Sequence, residues 1–283
     1  MISITDDQTP GPIGVFDSGY GGLTILKEIR HKLPMMSYIY LGDNARAPYG
    51  TRSFDVVYQF TLEAVKYLFA QGCHLVILAC NTASAKALRS IQRRDLPGIP
   101  GKRKVLGVIL PTVEDIVNTT TTGHIGLLGT PGTVQSRSYD MELSKLDPAL
   151  VVTSQACPMW VPLVENRESD SPGADYFVHK YIDKLFETDP AIDTLVLGCT
   201  HYPILLNKIT EAVDGRARIV TQGELVADSL SSYLERHPEI DRLIKRNADC
   251  RYLTTEHPTK FNELASLFLN PPRRCRTCKP FLT

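Results

Sequence analysis

Leu75-Val76-Ile77-Leu78-Ala79-Cys80-Asn81-Thr82 is the stretch from which the fold of this chain is read. Its apolar run is far too short for a membrane span and reads as a central strand buried on both faces. Ala83-Ser84-Ala85-Lys86-Ala87-Leu88 follows, with strong helix formers and no breaker. Cys80 is therefore expected at the carboxyl end of a buried strand, against a helix amino terminus. Ligands bind at that edge of open α/β sheets, and the helix end there favours anions, thiolate included. The same pattern recurs at Leu195-Val196-Leu197-Gly198-Cys199-Thr200-His201-Tyr202-Pro203, where Pro203 suits a first helical turn. Two cysteines in matching settings predict a pair of thiols that work together.

Outward from this stretch, strand and helix signals alternate. Ile13-Gly14-Val15-Phe16 reads as a first strand, Asp17-Ser18-Gly19-Tyr20-Gly21-Gly22 as a turn, and residues 23–32 as a helix stopped by Pro34. Residues 38–41 form a second strand, and Val57, Tyr58, Leu62, Val65, Leu68 and Phe69 keep helical spacing from Phe54 onward. The Pro- and Gly-dense run at 95–104 marks a crossing between lobes. Strands at 105–110, 124–128 and 151–152 follow, then a loop at 157–165 and a helix over 176–186. The prediction is an α/β fold of two similar Rossmann-like lobes, with parallel sheets facing a shared cleft. Lobe A takes residues 1–104 and 215–283 and carries Cys80; lobe B takes 105–214 and carries Cys199. The similar layout of the halves suggests an old duplication, and residues 270–283 read as a frayed basic tail.

Composition limits the function classes. Zero formal net charge, with a pI near 7.0, argues against nucleic acid or an anionic membrane as the main partner. No apolar run approaches the ~20 residues a bilayer span needs. Residues 1–12 are polar and lack a secretory pattern. Seven cysteines, an odd number without scaffold spacing, imply free thiols in a reducing compartment, hence a cytoplasmic protein.

Two facing thiols suit one task well. Inverting a carbon centre needs a base on one face and an acid on the other, each able to exchange roles. A thiol of ordinary pKa about 8.5, lowered by a helix terminus or a cation, makes a usable base at neutral pH. The plainer alternative is that a buried cysteine simply packs, and Cys73, Cys157 and Cys250 are assigned that role. Asp17, directly after a buried strand, could polarise a thiol or hold a substrate ammonium; it could equally cap the turn. Glu165 and His201 could tune a thiol or shuttle protons. Ser18, Asn81, Thr82 and Thr200 offer polar groups suited to a small carboxylate. Cys275-Arg276-Thr277-Cys278 lacks the second ligand pair a structural zinc needs, so no metal is expected. No lysine sits in a cofactor context.

Taken together, six spaced motifs resemble the aspartate/glutamate racemase family, in particular its glutamate racemases. They are Val15-Phe16-Asp17-Ser18-Gly19-Tyr20-Gly21-Gly22-Leu23-Thr24, Tyr40-Leu41-Gly42-Asp43-Asn44-Ala45-Arg46-Ala47-Pro48-Tyr49-Gly50, Ala79-Cys80-Asn81-Thr82-Ala83-Ser84, Gly126-Leu127-Leu128-Gly129-Thr130, Cys157-Pro158-Met159-Trp160-Val161-Pro162-Leu163-Val164-Glu165 and Leu197-Gly198-Cys199-Thr200-His201-Tyr202-Pro203. The resemblance implies cofactor-independent racemisation of L-glutamate to D-glutamate for peptidoglycan, with Cys80 and Cys199 as proton carriers. It implies that Asp17, Glu165 and His201 assist them. It also implies that Asp17, Ser18, Tyr49, Gly50, Asn81, Thr82, Thr200 and His201 contact glutamate, and that a homodimer is a common assembly. The sequence departs from the family pattern at Thr221-Gln222-Gly223-Glu224, where many members carry an Asp-Pro-Gly-like run, and at Trp160. An aspartate or hydantoin racemase on the same scaffold, or a non-catalytic small-carboxylate binding protein, are the rival readings.

Overall fold

The computed structural model describes residues 8–269 and 275–277. The first lobe begins β1 (Ile13–Asp17), α1 (Gly22–Lys32), β2 (Tyr38–Gly42), α2 (Phe54–Ala70), β3 (Leu75–Leu78), α3 (Asn81–Ser90) and β4 (Lys104–Gly107). The second holds α4 (Ile109–Thr119), β5 (His124–Gly129), α5 (Pro131–Ser136), α6 (Ser138–Leu146), β6 (Val151–Ala156), α7 (Trp160–Glu165), α8 (Pro172–Thr188), β7 (Thr194–Gly198), α9 (Leu206–Val213) and β8 (Arg218–Val220). The chain then returns through α10 (Gly223–Arg236), α11 (Pro238–Asp241), β9 (Cys250–Thr254), α12 (Pro258–Ala265) and β10 (Cys275–Thr277).

All strand pairings within the two sheets are parallel: β10-β9-β2-β1-β3-β4 and β6-β5-β7-β8. Every residue of β1, β2, β3 and β7 is buried, which is why these strands read as continuous apolar runs rather than alternating ones. Each aliphatic side chain so buried contributes roughly 1.5–3 kcal/mol. The long helix α2 starts at Ser53, whose hydroxyl accepts from the Val56 N–H at 3.4 Å, and it buries Val57, Ala64, Val65, Leu68 and Phe69 against the first sheet. The largest apolar cluster, from Ile13 and Leu26 to Trp160 and Ile182, runs through both lobes, with a further cluster under α2 and another under α4.

Chain order makes the halves equivalent. In the first sheet β2 lies on one side of β1 and β3 on the other; in the second β6 and β7 flank β5 in the same way. Both sheets therefore have a topological switch point, between β1 and β3 and between β5 and β7. Crevices open at the carboxyl ends of strands at such points. Cys80 and Cys199 sit just beyond β3 and β7, at corresponding places in the two halves.

Sheet membership moves both expected lobe boundaries. β4 pairs with β3, so the crossing falls after Gly107 and the Pro- and Gly-rich run is the connection from α3 back to the sheet edge. β8 pairs with β7, so the return comes after Val220. The expected loop at 157–165 contains α7; Pro162 is tolerated there because N–H groups in a first turn have no intrahelical partner. The expected frayed tail includes β10, which pairs with β9, while Cys278 lies outside the described residues. No described helix is long and apolar enough to cross a membrane.

Candidate active site

Cys80 is the N-cap of α3. Its Sγ lies 3.5 Å from the Ala83 N–H and 3.4 Å from Ser18 Oγ at the end of β1. The sequence suggested that a helix terminus would lower this thiol's pKa. Instead burial pushes it up to about 12, with the negative charge of Asp17 adding to the rise and the Ser18 and Ala83 hydrogen bonds opposing it. Desolvation outweighs the helix end here, because only one N–H reaches the sulfur. In the free protein this environment favours the thiol form of Cys80. Asp17 is itself buried and displaced upward in pKa, chiefly by desolvation. Its Oδ2 accepts from the Gly19 N–H at 2.8 Å, while among the described residues Oδ1 has no partner.

Cys199 has different company. Its Sγ is 3.9 Å from His201 Nδ1, and His201 Nε2 is 3.0 Å from Glu165 Oε1, delivered by the last turn of α7. Burial alone would lower the His201 pKa, but its hydrogen bonds to Cys199 and Glu165 overcome that and raise it to about 10. The imidazole therefore holds its proton more tightly folded than unfolded, where about 6.5 is ordinary. Its contribution to stability is fully present below about pH 6.5 and is lost as pH rises through about 10. The melting-temperature advantage of the native protein over His201→Gln should accordingly shrink between those pH values. An advantage independent of pH would contradict the pairing.

The two thiols open onto one cavity of ≈ 300 Å³ between the lobes, and Ser18, Tyr49, Gly50, Asn81, Thr82, Glu165, Thr200 and His201 line it as well. Asp17 is the exception among the predicted residues. It lies outside the cavity lining, where its charge acts on Cys80 and faces that of His201. Tyr49 lines the cavity with its phenol donating to Asp43 Oδ2. Gly50 closes the rim: its carbonyl accepts from the Gly132 N–H at 2.7 Å across the lobes. A Cβ at Gly50 would stand 2.9 Å from Thr130 Cβ, which accounts for glycine at this approach.

Thr130 and Cys157, given no site role from sequence, also line the cavity. Thr130, after β5, occupies in the second lobe the place of Asp17–Ser18 in the first, and its hydroxyl is 2.9 Å from that of Thr82. The motif ending at Thr130 includes it, with no role assigned to its hydroxyl. Cys157, assigned to packing alone, lines the cavity wall with Pro158 and Val161. A groove of ≈ 380 Å³ lies between α3, α4, α6 and α10, but no cysteine or histidine lines it.

Two thiols at corresponding strand ends of two parallel sheets, on one cavity and with separate polar partners, fit the isomerase class that racemases form. Residues 21–228 match the Asp/Glu/Hydantoin racemase family, and the chain belongs to it. Relatives of this chain include glutamate racemases. Those of Roseobacter denitrificans and Ruegeria pomeroyi are 39% and 40% identical over 267 residues, covering 91% of this chain and 96% of each relative. Among solved structures, glutamate racemase isoform RacE1 from Bacillus anthracis is 36% identical with a TM-score of 0.86, covering 97% of this chain and 98% of its own. The Francisella tularensis glutamate racemase in complex with D-glutamate is 31% identical with a TM-score of 0.82, covering 96% and 97%.

Proposed function

We propose that this chain interconverts L- and D-glutamate without a cofactor, with Cys80 and Cys199 as the two proton carriers, supplying D-glutamate for peptidoglycan. The observation that carries the reading is the pair of cysteines at equivalent strand ends on one interlobe cavity, in a chain so similar to glutamate racemases. The α-carbon lies between the sulfurs. One cysteine, as thiolate, takes the α-proton; the other, as thiol, delivers a proton from the opposite face, and the reverse reaction exchanges the roles. His201, held by Glu165, stabilises charge on Cys199 or returns a proton to it, while Ser18 and Asp17 govern Cys80.

The α-proton is far less acidic than a thiol, so charge developing on the α-carboxylate needs preorganised donors. Asn81 and Thr82 in the first turn of α3, and Thr200 beyond β7, line the cavity and are assigned that work. Closing the lobes excludes water and strengthens these contacts. A cytoplasmic setting belongs to the same proposal, as does a homodimer, to be read from sedimentation.

Polarimetry tests the reading, after dialysis against a chelator and with no pyridoxal added. L-Glutamate should lose its rotation under these conditions, while L-aspartate and a hydantoin keep theirs. Activity that returns only with metal would contradict cofactor independence, and preference for aspartate would move the substrate to the rival enzyme.

A further inference from the structure

Gln222 lies in the four-residue stretch where the sequence departs from the family pattern, on the segment that carries the chain from β8 of the second sheet into α10, which packs on α1 of the first lobe. Its side chain is buried and meets three others. Asn81 Nδ2 donates to Gln222 Oε1 at 2.6 Å. Gln222 Nε2 donates to Tyr139 Oη and to Thr112 Oγ1, each at 2.8 Å. Tyr139 Oη in turn donates to Asn81 Oδ1 at 2.7 Å. All four side chains are 3% exposed or less.

Proton counting leaves this ring one arrangement. Thr112 spends its own proton on the Val108 carbonyl at 2.7 Å, so toward Gln222 it can only accept. Both N–H groups of Gln222 are then used, one on Thr112 and one on Tyr139. Tyr139 must send its proton to Asn81 Oδ1, and Asn81 must present Nδ2 to Gln222 Oε1. A flipped Asn81 amide would set two acceptor oxygens against each other and cost Tyr139 its Asn81 acceptor. Buried polar groups do not tolerate that. Asn81 follows Cys80 directly and lines the cavity. With its flip fixed, it turns one remaining N–H and one remaining lone pair to other partners in a set order.

We infer that Gln222 is a positioning residue: with Tyr139 it locks the amide of Asn81 in the orientation that presents an N–H to the substrate carboxylate. The inference rests on the glutamate racemase reading. It also ties that orientation to lobe juxtaposition. Asn81 belongs to the first lobe, Tyr139 and Thr112 to helices of the second, and Gln222 to the crossing between them.

Gln222→Met keeps length and removes every hydrogen bond. It should raise KM for both glutamate enantiomers and lower kcat/KM roughly 10- to 100-fold, the scale of a misaligned positioning group. Tyr139→Phe, which removes one oxygen, should act in the same direction and carries the test if Gln222→Met fails to fold. In an Asn81→Ala background, neither change should add a further loss, because the group being positioned is gone. A single variant with native kcat/KM, or losses that multiply in the double variant, would overturn the assignment. Native protein inert toward both glutamate enantiomers would instead overturn the reading of the site itself.

Discussion

Cys80→Ala and Cys199→Ala should each lower racemisation by about 10³-fold or more, in both directions, while the protein stays folded. Both sulfurs are buried on one cavity, and a positioned acid or base typically contributes ~10²–10⁴-fold. A two-sided mechanism fails when either side is empty, so the two losses should not multiply in the double variant. Packing costs are small by comparison: removing one buried heavy atom costs about 1 kcal/mol. Chiral chromatography of product, beside a circular-dichroism melt, measures both quantities. Native turnover by either folded variant would end the two-thiol assignment.

Gly21→Ala should be nearly as damaging, although Gly21 contributes no side chain. It precedes α1 in the first lobe, where the loop after β7 of the second lobe comes against it. A methyl there would overlap Thr200 Oγ1 and His201 Nδ1 and stand 2.7 Å from His201 Cε1. Either the lobes part or the imidazole turns away from Cys199 and Glu165. Overpacking of this kind costs ~1–3 kcal/mol, and misplacing a catalytic group by about 1 Å can cost ~10²-fold in rate. The variant should therefore melt earlier, turn over about 10²-fold more slowly, and lose most of the pH-dependent stability due to His201. A variant with native kcat and an unchanged melt would contradict the close approach.

The central strands and the two cysteines were legible because their signals are local. A strand buried on both faces must be apolar throughout, and a helix former must follow it. Sheet membership of β4 and β8 was not legible, since parallel partners are chosen by tertiary packing and not by neighbours in sequence. Two prolines concealed α7, because a residue that breaks a helix interior is harmless in a first turn. The elevated Cys80 thiol required knowing that burial and Asp17 oppose the helix end. The Asn81–Gln222 pairing joins residues 141 positions apart, and Gln222 registered only as a departure from a family pattern. The burial of Asp17 at the end of β1 was legible, but its place behind the cavity wall is a matter of side-chain direction.

The central claim, two monoprotic thiols working from opposite faces, predicts where hydrogen ends up. A thiol carries one proton, so the proton removed from substrate stays on one sulfur while the product's α-hydrogen comes from the other, already equilibrated with solvent. The measurement is mass spectrometry of separated enantiomers at low conversion of L-glutamate in deuterium oxide. Early D-glutamate should be almost fully deuterated, with unreacted L-glutamate still largely protiated. Substantial protium in that early D-glutamate, as a single polyprotic base would return, would contradict the account.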